Sequence, residues 1–260
     1  MRVVITGAAS GIGRATAEIL SGATNNDLSN RLLLVDRDAD RLAETAEALG
    51  SNAHAFVADL SDPNCGERIA KAALDNLGGI DGVASNAGII LSGPLTTLDI
   101  DGYDKIFAIN TRANWLLAKA VYPHLKESRG AFVATASISA HQPTPGLGAY
   151  SASKAALLML VRQLAIEWGP DGIRVNSVSP GPTLTPMTAQ GYSDPERLAQ
   201  REASIPLRKL GSAEDIANAI VFLLSPQAGH ISGIDILVDG ALNNNLMNAT
   251  GTGTGQGTKK

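Results

Sequence analysis

The sequence predicts an α/β protein: a central parallel sheet of about seven strands with helices on both faces, a three-layer sandwich. Three observations lead there. Short apolar runs, mostly aliphatic or β-branched, recur along the chain. Stretches with helical periodicity lie between them. The two kinds alternate from start to finish, and strands joined through helices imply right-handed crossovers and parallel pairing.

In order, Val3-Val4-Ile5 gives the first strand and Ile12 to Leu20 the first helix. Leu32-Leu33-Leu34-Val35 and Arg41 to Leu49 form the second pair, Ala55-Phe56-Val57 and Gly66 to Leu77 the third. Gly82-Val83-Ala84 leads into one long helix from Tyr103 to Leu125. Ala131-Phe132-Val133-Ala134 precedes the helix Ser151 to Trp168. Val175-Asn176-Ser177-Val178, the helix Ala213 to Leu224 and Ile234 to Val238 complete the series. Continuous apolar runs fit strands buried on both faces. Thr185 to Leu210 differs: Pro182, Pro186, Pro195 and Pro206 lie in or beside it, so it is an excursion with short helices of its own. No linker divides the chain, so residues 1–242 are expected to form one domain. Residues 243–260, polar and rich in Gly and Thr, are expected to form a flexible low-complexity tail.

The 260 residues are 44% hydrophobic and 18% charged, with a formal net charge of −4. That composition is globular. Mild acidity without a basic block argues against nucleic acid and against an anionic membrane surface as partners. No run approaches the ~18 apolar residues of a membrane span. The apolar run after Met1 is too short for a signal peptide, so a cytoplasmic location is expected. Cys65 is the only cysteine, which excludes an intramolecular disulfide and a Cys-rich zinc site. No metal is expected.

Thr6-Gly7-Ala8-Ala9-Ser10-Gly11-Ile12-Gly13 joins the first strand to the first helix. Glycines there let the backbone turn sharply and approach a pyrophosphate, and the helix N-terminus offers free N–H groups. The spacing is Gly-x3-Gly-x-Gly. A plain strand–turn–helix would also use glycine punctuation. The second strand ends at Asp36, which can accept hydrogen bonds from adenosine ribose hydroxyls or simply cap a loop. Arg37 can stack on adenine or stay solvated. Tyr150 and Lys154 are four residues apart and share a helix face. An ammonium beside a phenol is expected to lower the phenol pKa from its reference near ~10. Ser137, at the end of the fifth strand, can point into the same crevice, since ligands of open parallel sheets bind at the strands' carboxyl ends.

With these residues on the page, the chain resembles the short-chain dehydrogenase/reductase family, of the type about 250 residues long, over nearly all of Met1 to Leu242. Gly7, Ser10, Gly11, Ile12 and Gly13 fall in its T-G-x3-G-x-G turn. Asp59-Leu60 matches its adenine-side D-[LV], and Asn86-Ala87-Gly88 its N-A-G. Asn110, Ser137, Tyr150 and Lys154 match its catalytic set, and Pro180-Gly181-Pro182-Thr183-Leu184-Thr185 its P-G-x3-T. The resemblance implies a Rossmann-type fold. It implies that Tyr150 is general acid in ketone reduction and base in alcohol oxidation. Lys154 would tune Tyr150 and hold the nicotinamide ribose, Ser137 would hold the substrate oxygen, and Asn110 would position a relay water. Thr185 and the backbone at Thr183 would fix the carboxamide. Ser85 stands where the family usually has a first Asn, and the segment Ser21 to Asn30 is longer than usual.

Asp36 would repel a 2′-phosphate, and Ser10 is neutral where phosphate-binding relatives often carry a base. Both favour NAD (NADH) over NADP, with Arg37 opposing. The expected substrate is a small uncharged secondary alcohol or ketone, cyclic or hydroxysteroid-like skeletons included, and no arginine cluster marks an acidic one. Ser139, His141, Gln142, Leu147, Met187 and Tyr192 are the expected pocket residues. Two other readings are a non-catalytic NAD-binding sensor or scaffold and a nucleotide-sugar epimerase. The intact Ser137, Tyr150, Lys154 and Asn110 weigh against the first. The second resembles the extended branch of the family, whose larger C-terminal region this sequence lacks. The helices carrying Trp115-Leu116-Leu117 and Leu157 to Leu164 have more apolar positions than one sheet-facing stripe needs. The resemblance, whose family commonly pairs these helices across two-fold axes, implies a homo-oligomer, a tetramer, with a dimer as the alternative.

Overall fold

In the computed structural model, residues 1–22 and 30–245 are described. Seven parallel strands form one sheet: β1 (Arg2–Thr6), β2 (Arg31–Asp36), β3 (Ala53–Val57), β4 (Gly82–Ser85), β5 (Ala131–Thr135), β6 (Arg174–Pro180) and β7 (Asp235–Val238). Their order is β3-β2-β1-β4-β5-β6-β7. Strand order reverses between β1 and β4, and an open parallel sheet has its crevice at such a point.

Alternation of side chains sorts the two cores. Val4, Leu33, Val35, Val83, Phe132 and Val175 pack against α3 (Cys65–Leu77), α5 (Ala113–Ser128) and α6 (Tyr150–Trp168). Val3, Ile5, Leu32, Leu34, Val133 and Val178 pack against α1 (Gly11–Leu20), α2 (Ala39–Leu49) and α8 (Ala213–Leu224). The α3–α5 contact is close enough that a Cβ on Gly66 would lie 2.3 Å from the Leu116 carbonyl oxygen. The proline-rich excursion carries a 3₁₀ turn (Ala189–Tyr192) and α7 (Pro195–Ser204). Asp194 caps α7 and Pro195 opens it, as a helix start favours.

Three expectations are corrected. β3 and β7 are not buried on both faces, because each is an edge strand with one flank unpaired. The single helix expected from Tyr103 to Leu125 is α4 (Ile100–Phe107), a π-helical turn (Ala108–Arg112) and then α5. Of the tail expected from residue 243, the first residues are folded. Leu242–Asn244 form a 3₁₀ turn, and Asp239 accepts the Asn243 N–H at 2.7 Å. Most of the longer segment after Ser21, and the tail from residue 246, lie outside the described residues. Among the described residues no helix is long and apolar enough to cross a membrane.

Candidate active site

A cavity of about 500 Å³ runs along the carboxyl ends of the strands. Asp36, Arg37, Asp59 and Leu60 wall one end; Leu147, Met187 and Tyr192 wall the other. The glycine turn, Asn86-Ala87-Gly88, Ser137, Tyr150 and Lys154 lie between, facing Pro180, Gly181, Thr183 and Thr185.

Thr6 ties the glycine turn to the segment after β4. Its Oγ1 accepts the N–H groups of Asn86 at 3.0 Å and Ala87 at 3.1 Å. Gly7 has φ +70°, where a side chain is strained, and a Cβ on Gly13 would sit 2.2 Å from the Gly7 carbonyl oxygen. Gly13 therefore lies behind the cavity wall, where it lets α1 approach the turn. Ser10, Gly11 and Ile12 are in the wall itself. Ser10 makes no side-chain cap, and no acidic residue occupies the first turn of α1. Free helix N–H groups with a positive dipole end thus face the cavity, a cradle that fits a dinucleotide pyrophosphate.

Asp36 is held by backbone. Its Oδ2 accepts the Ala9 N–H at 3.1 Å, and its Oδ1 accepts those of Arg37 at 2.7 Å and Asp38 at 3.1 Å. Hydrogen bonding from Ser61 holds the Asp59 carboxyl below its usual range, with a smaller contribution from Arg37. On the opposite wall, Thr188 Oγ1 donates to the Thr183 carbonyl at 2.6 Å and accepts the Thr185 N–H at 3.0 Å, which fixes the loop after β6.

Ser137 has extended backbone beyond β5, and its Oγ accepts the Ser139 N–H at 3.0 Å. Lys154 is 3% exposed, and its Nζ donates to the Thr135 carbonyl at 2.7 Å. Burial pushes its pKa down to about 8. Lys154 Nζ lies 5.9 Å from the centre of the Tyr150 ring. The expected lowering of the Tyr150 pKa is corrected. Burial pushes this phenol up, and the influence opposing it is a hydrogen bond with Ser137. The phenolate is desolvated, and the ammonium lies over the ring and bonds a carbonyl.

Asn110 lies in the π-helical turn and is fully buried, outside the cavity wall. Its Oδ1 accepts the Ile89 N–H at 2.9 Å, and its Nδ2 donates to the Ile89 carbonyl at 3.0 Å and Ser153 Oγ at 3.1 Å. The side chain thus clamps the backbone after Gly88. A Cβ on Gly88 would be tightly held, 3.2 Å from Asn110 Oδ1 and 3.3 Å from Lys154 Nζ. π-turns of this kind are frequent at functional sites.

The structure brings Ser139, Leu147, Met187 and Tyr192 to the cavity. His141 and Gln142 are corrections: neither lines it. A 3₁₀ turn (Ile138–Ala140) redirects the chain, and His141 Nε2 pairs with Asp235 Oδ2 at 2.7 Å. Asp235 Oδ1 in turn accepts the Ser177 hydroxyl at 2.6 Å. Gln142 is exposed. α7 also brings Arg201, unmarked in the sequence, into the cavity wall. Nothing in the sequence ties the face of that helix to the site. Among the described residues no group of three His, Cys, Asp or Glu side chains is placed to hold a metal ion.

A family model described as enoyl-(acyl carrier protein) reductase matches residues 7–243. The chain is 34% identical over 249 residues to 2-(R)-hydroxypropyl-CoM dehydrogenase of Xanthobacter autotrophicus, covering 92% of this chain and 96% of that one. Among solved structures, levodione reductase superposes with a TM-score of 0.86 at 30% identity, covering 93% of this chain and 97% of its own. The 3-ketoacyl-(acyl-carrier-protein) reductase from Brucella melitensis, complexed with NADH, gives 0.84 at 30% identity with the same coverage.

The burial of Lys154 has a measurable sign. Its folded pKa of about 8 lies below the 10.5 of the free side chain, so between those values the unfolded chain binds more protons. This group therefore costs stability below pH ~8, by about 3 kcal/mol at most, and that cost falls as pH rises toward 10. Urea unfolding of wild type and Lys154→Met at pH 7 and pH 9.5 tests this. The wild type is expected to gain on the variant by 1–2 kcal/mol, roughly, between the two values. Parallel pH profiles would show that Lys154 is not desolvated in the folded protein.

Proposed function

The chain belongs to the short-chain dehydrogenase/reductase family, and from that premise we propose an NAD(H)-dependent oxidoreductase. It moves a hydride between nicotinamide and a secondary alcohol or its ketone, cyclic and hydroxysteroid-like skeletons included. The observation that carries this reading is the meeting of Tyr150, Ser137 and Lys154 in one cavity whose other end offers free helix N–H groups and Asp36. The cofactor supplies the hydride step when bound. The protein's own residues bind, orient and handle the proton.

In this reading the N–H groups at Ser10, Gly11 and Ile12 hold the pyrophosphate. Asp36 takes the ribose hydroxyls of the adenosine, with Arg37, Asp59 and Leu60 about the adenine. Asn86, Ala87 and Gly88 form the floor, and Pro180, Gly181, Thr183 and Thr185 border the carboxamide. Ser137 donates to the substrate oxygen and holds it beside the Tyr150 hydroxyl. In reduction Tyr150 gives its proton to that oxygen, and a phenol pushed up by burial is a ready donor. In oxidation Tyr150 must accept the proton, and the charge on Lys154 favours the phenolate then formed. Lys154 also reaches the nicotinamide ribose. Asn110, which clamps Ile89 and Ser153, would position a water that links Lys154 to solvent as a proton relay.

The preference for NAD rests on Asp36. A carboxylate already fixed by three N–H groups cannot swing away from a 2′-phosphate, and the like charges repel. The assembly proposed is a tetramer in the cytosol, supported by Trp115 on α5 and Met159 and Ile166 on α6. These side chains are 47%, 59% and 79% exposed in the single chain.

Tyr150→Phe keeps the ring and removes the proton. It is expected to lower kcat by roughly 10²–10⁴ while NAD still binds; near-wild-type turnover would remove Tyr150 from the chemistry. Asp36→Ala is expected to weaken NAD by about 10- to 100-fold, the scale of hydrogen bonds to a charged group, while NADP binds better than to wild type. Comparing kcat/KM for both cofactors separates this crossing from simple damage, which weakens both. A wild type preferring NADP would overturn the assignment. Light scattering at micromolar concentration is expected to give four times the mass of one chain, and a monomer contradicts the assembly.

A further inference from the structure

The substrate end of the cavity carries charge that the hydride chemistry leaves unused. Arg201, in the last turn of α7, shares that end with Leu147, Met187 and Tyr192. The other charged side chains in the cavity wall are Asp36, Arg37, Asp38, Arg41 and Asp59, gathered at the adenosine end, and Lys154 buried between. No carboxylate in the wall answers Arg201 at its own end. Among the described residues it makes no ion pair.

Beside it lies an adjoining hollow of about 410 Å³, walled by Gly191, Tyr192, Arg197, Gln200, Arg201 and Ser204. Tyr192 and Arg201 border both spaces, so this hollow adjoins the substrate end of the cavity. Arg197 and Arg201 stand one helical turn apart, on the same face. Arg197 has Asp194 as a neighbour at 3.5 Å, with both side chains exposed. The wall of the hollow therefore holds two guanidiniums, an amide, a phenol and a hydroxyl, and no acid. Burial pushes the Tyr192 phenol up while Arg201 pulls it down, as a guanidinium close to the hydroxyl would. The guanidinium of Arg201, which has no carboxylate partner among the described residues, with Tyr192, Gln200 and Ser204 around it and Arg197 one turn away, matches the oxygens of an acidic group.

We propose that this hollow takes a carboxylate of the substrate, so that the enzyme's substrates are hydroxy acids and the corresponding keto acids. The reacting carbon lies at Tyr150, and the acidic group lies at Arg201 and Arg197. This rests on the oxidoreductase reading and replaces the uncharged substrate expected from sequence with an acidic one.

The test uses the full chain and matched ketones: 4-oxocyclohexanecarboxylate against its methyl ester, and levulinate against methyl levulinate. Reduction by NADH is followed in wild type, Arg201→Gln and Arg201→Lys. In wild type kcat/KM for at least one acid is expected to exceed that of its ester by about 10-fold, the scale of a charge-assisted pair. The ratio is expected to approach 1 in Arg201→Gln and to be intermediate in Arg201→Lys, which keeps the charge and loses the fork. A ratio near 1 in wild type, or one that Arg201→Gln leaves in place, overturns the proposal. 4-Oxocyclohexyl phosphate serves as the second anion, and a higher ratio for it overturns the carboxylate assignment in particular. Calorimetric titration of the NAD complex with the same compounds separates the two readings. An acid preference in binding that is lost in Arg201→Gln, without turnover, keeps the hollow as the carboxylate site and removes the oxidoreductase reading. Equal turnover of acid and ester does the reverse, and absence of acid binding removes the hollow as that site.

Discussion

A lysine sealed inside a protein is costly, and the arrangement around Lys154 is what the site depends on. Its ammonium has lost water and gained the Thr135 carbonyl at the end of β5. One acceptor does not replace a hydration shell, and its pKa falls toward neutrality in consequence. The surroundings are shaped to that buried group. Gly88 carries no side chain where one would press on Nζ. Asn110 holds the next residue, Ile89, by both backbone groups and spends its remaining amide hydrogen on Ser153, the neighbour of Lys154. The π-helical turn widens the helix where that asparagine stands. β4, β5, the α4–α5 junction and α6 are thus joined through a few polar contacts behind the cavity.

The same economy fixes the loop after β5. His141 follows the turn that carries Ser137 and Ser139, and its ring reaches Asp235 at the start of β7. Asp235 is in turn held by Ser177 of β6. The loop is therefore pinned across two strands of the sheet. Ser137 opens that turn, and its Oγ accepts the Ser139 N–H within it. A histidine in such a loop looks like a pocket residue from sequence, because its neighbours are polar and small. Its partner is 94 residues away, and only the parallel order β5-β6-β7 brings them together.

That separation explains what sequence could and could not convey. The seven strands and the order of the helices were legible because buried parallel strands need unbroken apolar runs and helices need their own period. The glycine turn was legible because Gly7 and Gly13 meet backbone atoms that exclude a side chain, a requirement written into residue identity. The π-turn was not, since Ala108 to Arg112 continues a helical pattern and its one extra residue per turn leaves no mark on composition. Arg201 was not legible either: α7 is amphipathic on any reading, and which face meets the cavity depends on how the excursion folds back. The phenol of Tyr150 was misjudged because spacing gives proximity to Lys154 but not solvent exclusion, and here burial outweighs the hydrogen bond with Ser137.

Asp36 shows how binding preference and shape can be inseparable. One of its oxygens accepts the Ala9 N–H, so the carboxylate at the end of β2 also helps set the conformation of the glycine turn that follows β1. The other oxygen accepts two N–H groups from its own loop, including that of Arg37. A methyl at this position would remove the repulsion toward a 2′-phosphate, and it would also leave those N–H groups short of an acceptor. The arginine best placed to bind such a phosphate, Arg37, has its backbone held by the carboxylate that opposes it. Exchanging one cofactor for the other therefore requires a replacement that still accepts from Ala9 while dropping the charge. A side-chain amide meets both conditions, whereas a methyl group meets only the second.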